Sequence, residues 1–242
     1  GSATGKTIAE AWKKAYEADK TSIFGGIVAA NREIDLETAE MLKPIFLEIV
    51  MAPSFAPDAL ELLCTKKNLR VLKVDMSKDN TVRKQYVSMN GGMLVQDRDI
   101  NTKPVSAEQC VTESKPTAEQ LADLEFAWKI VKHVKSNAIV VAKNGMTYGV
   151  GAGQMNRIGS AEIALKQAQK TLKEEGKDIM TEGLVLASDG FFPFNDCVAI
   201  AAEYGIKAIV QPGGSIRDED SIKLANEKGI TMLFTGERHF KH

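Results

Sequence analysis

The stretch GLVLASDGFFPFNDCVAIAAEYGIKAIV, residues 183–210, holds one complete folding unit. Residues 183–187 are an apolar run of strand length, with no polar residue alternating outward, which marks a strand covered on both faces. Residues 196–204 read as a helix. Gly205 closes it, because glycine takes the left-handed backbone that ends helices without steric cost. Residues 206–210 are a second apolar strand. Between the first strand and the helix, three phenylalanines (Phe191, Phe192, Phe194) surround Pro193, which is too apolar for an ordinary surface turn. One reading is a platform for a flat heteroaromatic ring, with Asp196 bonding its edge. The other is plain core packing, with Asp196 a carboxylate favoured by the helix N-terminus. The residues alone leave both open.

The same succession occurs earlier in the chain. A gapless shift of 136 residues lays Val50-Met51-Ala52 on Leu186-Ala187-Ser188, Phe55 on Phe191, Pro57 on Pro193, and residues 71–74 on 207–210. Each copy reads strand, Phe/Pro turn, helix, strand. Two similar α/β lobes are expected, each with a turn beyond a buried strand, where open α/β sheets bind ligands.

Around these units, helical spacing marks residues 7–19, 36–41, 58–66, 117–136, 160–175 and 218–228, and apolar runs mark strands at 27–30, 45–51, 70–75, 138–142, 146–150 and 230–234. Thr117 is the expected N-cap of its helix, with Gln120 in the capping-box position. Asn144-Gly145 between apolar runs signals a hairpin. Residues 76–115 are less regular, with a turn at Asn90-Gly91-Gly92 and a short strand at Met93-Leu94-Val95. The second half opens at Pro116. This alternation predicts a layered α/β fold, divided into residues 1–115 and 116–242.

Composition narrows the function. The chain has 242 residues, 44% hydrophobic and 26% charged, with a net charge of −1. Lys and Arg are dispersed, so no nucleic-acid surface is expected. No apolar run is long enough to cross a bilayer, so no membrane partner is expected either. The start is polar and Gly1-Ser2 reads as a cloning scar. Cys64, Cys110 and Cys197 have no metal-type spacing, and with only His133, His239 and His242 a zinc site is not expected. Reduced thiols fit a cytoplasmic protein. Ala3-Thr4-Gly5-Lys6-Thr7 resembles a P-loop only superficially, since its glycine spacing is short and no strand precedes it.

Three further loops attract notice. Gly149-Val150-Gly151-Ala152-Gly153 follows a strand and precedes Asn156 and Arg157; it can cradle an anion at a helix N-terminus or merely connect two elements. Gln211-Pro212-Gly213-Gly214-Ser215 can hold a polar ligand group or be a tight turn. Arg238-His239-Phe240-Lys241-His242 can grip a phosphate or be a solvated tail, although Phe240 argues for docking.

Taken in order, several segments resemble the AICAR transformylase family, the C-terminal domain of a bifunctional purine-biosynthesis enzyme. They are Thr21 to Ile27 (TSIFGGI), Ile49 to Phe55 (IVMAPSF), Gly91 to Asp99 (GGMLVQDRD), Lys135 to Ala138 (KSNA), Ala142 to Gly145 (AKNG), Gly149 to Gln154 (GVGAGQ), Ser188 to Asp196 and Arg238 to His242. The resemblance implies transfer of a formyl group from 10-formyltetrahydrofolate to the exocyclic amine of AICAR, in the synthesis of IMP. It implies a three-layer α/β/α fold of duplicated cytidine-deaminase-like lobes with mixed sheets, and a homodimer. Carried over by motif, Gly25, Glu48, Asn137, Arg157, Phe191 and Arg238 are AICAR-site residues, with Asn137 supporting catalysis. Glu48 stands where many members have Asp. Ile158, Asp196, Ser215 and Ile216 are the folate contacts. The chain has no H-x-E and no C-x-x-C, which excludes the zinc chemistry of true deaminases. The family's Arg-Tyr-Gly stretch and catalytic Lys-His pair find no match, and belong before the point where the chain begins. The expectation is therefore a C-terminal portion with no catalytic base of its own, or a non-catalytic folate- and ribotide-binding fragment.

Overall fold

The computed structural model describes residues 1–76, 83–101 and 103–242. Residues 77–82 and Thr102, part of the less regular segment, lie outside the described residues. In chain order the elements are α1 (Ile8–Ala18), β1 (Gly26–Ala29), α2 (Leu36–Leu42), β2 (Leu47–Ala52), α3 (Pro57–Cys64), β3 (Arg70–Lys73), β4 (Lys84–Met89), β5 (Gly92–Asp97), α4 (Ala118–Val131), β6 (Ile139–Lys143), β7 (Met146–Gly151), α5 (Arg157–Glu174), α6 (Ile179–Glu182), β8 (Val185–Ser188), α7 (Asp196–Glu203), β9 (Ala208–Gln211), α8 (Asp218–Lys228) and β10 (Thr231–Phe234). They form two compact units, Gly1–Phe24 with Pro104–His242, and Gly25–Lys103.

The expected division at 115/116 therefore falls elsewhere. Helix α1 joins the larger unit because Ala18 enters its core. Residues after Pro104 join it because Val105 is buried there and the Val111 N–H donates to the Met232 carbonyl (2.9 Å).

The larger unit is a three-layer α/β/α sandwich around a five-stranded mixed sheet, ordered β10-β9-β8-β6-β7. β8, β9 and β10 run parallel; β6 is antiparallel to both β8 and β7. Successive side chains of a strand point to opposite faces, and here each face has its own core. Ile139 and Val141 pack with Leu165, Leu172, Leu186, Ile209 and Phe192 beneath α5, α7 and α8. Val140 and Ala142 pack with Leu124, Trp128 and Val131 of α4. Both sheet edges are covered, by an Ala3–Met146 bridge on β7 and a Cys110–Leu233 bridge on β10, which removes open templates for aggregation.

Local signals operate as expected. The Thr117 hydroxyl accepts from the Gln120 N–H (3.1 Å), and the Gln120 side chain accepts from the Thr117 N–H (3.0 Å). Asn144 and Gly145 both have positive φ, 52° and 63°, the geometry of the tight turn whose twist matches a hairpin. Asp123 grips that turn through both of its N–H groups.

The Gly149–Gly153 loop is resolved by packing. A Cβ on Gly149 would lie 1.9 Å from the Ala164 carbonyl oxygen, and one on Gly151 would lie 1.9 Å from that of Ser160. These two glycines let α5 lie directly on β7, so their role is close helix–strand approach.

The smaller unit contains a three-stranded parallel sheet, β1-β2-β3, with α2 packed against α3. Its buried apolar residues include Ile34, Leu42, Leu47, Val50 and Leu63. The less regular segment contains a full hairpin, β4 paired with β5 around Asn90-Gly91, of which only the second strand is legible in sequence. All its residues are exposed, so no apolar face announces the first strand.

Candidate functional site at one end of the five-stranded sheet

Strand direction gathers the site in the larger unit. β8, β9 and β10 are parallel, so the residues after Ser188, Gln211 and Phe234 leave the sheet at one end. β6 runs the other way, and its first residue, Ile139, pairs with both Ser188 and Gly151. Asn137 and the entry to α5 therefore reach that same end, where α/β sheets bind ligands.

Four expected residues meet there. Arg157, the first residue of α5, is 8% exposed. Its Nη2 donates to Asn137 Oδ1 (3.0 Å), and its Nη1 donates to Ser188 Oγ (2.9 Å) and to the Asp189 carboxylate. Phe191 lies under the guanidinium of Arg238, whose Cζ is 4.8 Å from the ring centroid. A Cβ on Gly190 would come within 2.4 Å of Arg157 Nη2 and 2.9 Å of the Phe240 ring. Glycine is thus what lets the arginine and the tail close on the same backbone. Arg157 is committed to this buried network, while Arg238 is exposed at its rim.

The tail is docked. The His239 N–H donates to the Asp189 carbonyl (3.0 Å), the Ser136 N–H to the Lys241 carbonyl (2.8 Å), and the Lys241 N–H to Ser136 Oγ (3.0 Å). His239 is buried against Trp128, ring centroids 4.6 Å apart.

The expected folate residues are placed less uniformly. Asp196 opens α7, and its Oδ1 accepts from the Cys197 N–H (2.8 Å). Ser215 lies in the loop after β9, where its hydroxyl accepts from the Arg217 N–H (3.1 Å), and Ile216 is fully exposed. Arg217 stands over the Phe194 ring (5.3 Å), joining this loop to the Phe-Pro turn. Ile158 is half-buried against the core. Burial pushes the neighbouring Cys197 thiol well above the usual thiol range, with the Asp196 charge adding to the effect.

Gly25 and Glu48 lie in the smaller unit. Gly25 has φ +69° and donates its N–H to the Phe46 carbonyl (2.9 Å). Glu48, on β2, pairs with Arg70 Nη1 (2.6 Å), both side chains largely exposed. Among the described residues no group of three His, Cys, Asp or Glu is placed to hold a metal ion, and no helix is long and apolar enough to span a membrane.

Sequence reasoning assigned no role to Asp189, Ser136 or Gln154. Asp189 and Ser188 are both fully buried, and the signal available was two polar residues at the end of an otherwise apolar strand.

The family model described as AICARFT/IMPCHase bienzyme matches residues 1–167. The chain belongs to this family. Along all 242 residues it is 60% identical to the bifunctional purine biosynthesis protein PurH of Anoxybacillus flavithermus and 56% identical to that of Bacillus subtilis. In both cases it spans 46% of the relative's length, about half of the proteins it matches. Among solved structures, a diaminohydroxyphosphoribosylaminopyrimidine deaminase/5-amino-6-(5-phosphoribosylamino)uracil reductase of Thermotoga maritima aligns over 47% of this chain and 34% of its own, with 20% identity and a TM-score of 0.29. That likeness is too slight to argue from.

Proposed function

We propose that this chain carries the AICAR- and folate-binding surfaces of an AICAR formyltransferase acting in purine biosynthesis. The observation that supports this most is the convergence of Asn137, Arg157, Phe191 and Arg238 at one sheet end, in a chain of this family. Arg238 offers an exposed, charge-assisted donor to the ribotide phosphate. Asn137 and Phe191 meet the ribotide base. Asp196, Ser215, Ile216 and Ile158 face the folate, with the Phe-Pro turn as the platform for its flat ring. The lobes are of the cytidine-deaminase type, and the working protein is a cytoplasmic homodimer.

In the reaction the amine of AICAR attacks the formyl carbon and tetrahydrofolate leaves. The amine is a weak nucleophile, because ring and carboxamide withdraw its lone pair. A base must take its proton and a donor must offset the oxyanion. His239 is buried against Trp128, which disfavours it as that base.

Calorimetry tests the assignment. Arg238→Ala should weaken AICAR by about 10–100-fold, the loss of a hydrogen bond to a charged group, and leave a folate analogue unaffected. Asp196→Ala should do the reverse, at a cost of roughly 1–3 kcal/mol. Equal affinities for wild type and both variants would overturn the reading. Tetrahydrofolate release should stay at background; robust turnover would place the base within this chain.

A further inference from the structure

We propose that Asp189 is a positioning residue, which holds the side-chain amide of Asn137 in the one orientation that serves the ribotide. The inference rests on the reading above that Asn137 meets that ligand.

Asp189 has no exposed surface, so a ligand cannot reach its carboxylate. Its donors all bear on Asn137. Oδ2 accepts from Ser136 Oγ, on the residue before Asn137. Oδ1 accepts from the Ala138 N–H (3.1 Å), on the residue after it. Oδ1 also accepts from Arg157 Nη1, and the Nη2 of that same arginine donates to Asn137 Oδ1 (3.0 Å). One buried charge therefore holds both neighbours of Asn137 and the group that bonds its side chain.

An amide side chain has two acceptor sites on oxygen and two N–H donors. The guanidinium has only donors, so it fixes which end of the Asn137 amide is the oxygen. The other end donates to the Gln154 carbonyl (2.8 Å), which cannot take the oxygen instead. One N–H and one acceptor site remain for a ligand, in a direction set by its surroundings. Without the carboxylate, Arg157 would sit buried with no counter-charge, and a buried charge then reorients or draws in water. The amide would lose its fixed end. Asp189 and Ser136 also hold the tail, since the His239 N–H donates to the Asp189 carbonyl and the Lys241 N–H to Ser136 Oγ. The segment that orients Asn137 thus also anchors the residues flanking Arg238.

The experiment uses the full 242-residue chain and its variants Asp189→Asn, Ser136→Ala and Asn137→Ala. Calorimetry with AICAR and with folic acid gives affinities, and NMR follows the side-chain amide protons of Asn137. Asp189→Asn should bind AICAR at least tenfold more weakly and folic acid within twofold of wild type. Added to Asn137→Ala, it should cost less than threefold more, because it acts through the amide already removed. The Asn137 amide proton bonded to the Gln154 carbonyl should exchange slowly in wild type and at the rate of a free amide in Asp189→Asn.

Unchanged AICAR affinity in a folded Asp189→Asn, or losses that multiply in the double variant, would overturn the proposal. If Asp189→Asn does not fold, Ser136→Ala decides, since it keeps the ion pair. It should weaken AICAR about threefold or more and speed the Asn137 exchange; wild-type values for both would overturn it. If wild type binds no AICAR, the functional reading fails. The amide exchange still tests whether Asp189 holds Asn137, with equal rates in wild type and variants counting against it.

Discussion

β2-α3-β3 in the smaller unit and β8-α7-β9 in the larger are the same device twice: a strand, a Phe/Pro turn, a helix, and a strand parallel to the first. The 136-residue shift lays the end of β2 on the end of β8 and brings α3 within three residues of α7 and β3 within two of β9. Their surroundings differ. All eight residues of β8 and β9 are buried, because helices cover both faces of their sheet. β3 has no buried residue, and in β2 only Leu47, Val50 and Ala52 are buried. The turns differ too. Ser188-Asp189-Gly190 stands where the other copy has Ala52-Pro53-Ser54, and only the first carries a buried carboxylate and its network. An apolar pattern suffices to build the device. A polar site at its mouth needs a dry setting in which hydrogen bonds hold direction, and only the five-stranded sheet supplies one.

The largest expected effect concerns ion pairs. Arg157→Ala strands the Asp189 charge in the core and should cost about 3–5 kcal/mol in urea unfolding. Arg70→Ala breaks the exposed pair with Glu48 and should cost about 0–1 kcal/mol. Similar costs would erase the contrast between the copies.

The Phe-Pro turns give a second, somewhat smaller contrast. Phe192 is fully buried, and Phe192→Ala should cost about 3–5 kcal/mol. Phe55, which the shift lays on the half-buried Phe191 and not on Phe192, is half-buried too, and Phe55→Ala should cost less than half as much. Equal costs would mean that the smaller unit holds a deeper core than its exposure indicates.

Helix caps give the smallest effect and sharpen the comparison through pH. Asp35 caps α2, accepting from the Thr38 hydroxyl (2.6 Å) and N–H (2.9 Å). Those bonds hold its carboxylate below the usual range. A depressed folded-state pKa means the stabilisation is present above the ordinary carboxylate pKa, about 4, and is lost as pH falls through the folded value. Asp35→Ala should cost about 0.5–2 kcal/mol at neutral pH and nothing in strong acid. Thr117→Ala, which removes a hydroxyl cap from α4, should cost about 1 kcal/mol with no such pH dependence. Stability curves from pH 2 to 8 check both, and parallel curves would count against the Asp35 cap.

Much of the local structure was legible because its causes are local. Thr117 and Gln120 lie three residues apart and satisfy one another, and Asn144-Gly145 carries the backbone its turn needs. The first strand of the exposed hairpin was not legible, because its apolar residues, Tyr86, Val87 and Met89, form no buried face. Of the candidate site, Asn137, Arg157, Phe191 and Arg238 were named, and the fold brings them together in the larger unit. The depth of Arg157 and the role of Asp189 were not readable, since they depend on which strands lie beside β8.

The sequence by itself determined the βαβ repeat, the helix ends, the hairpin turn and the family, since each is written in residues close along the chain or collinear with relatives. Tertiary structure alone decided three things. It inserted β6 antiparallel between β7 and β8, which carries Asn137 to the carboxyl ends of the parallel strands. It made Gly149 and Gly151 places where α5 touches the sheet. It joined Ser136, Arg157, Asp189 and the tail in one network. The physical reason is range. Capping and turn energies act over three or four residues, whereas Ser136 and Asp189 are far apart in sequence and become neighbours only once both faces of the sheet are buried.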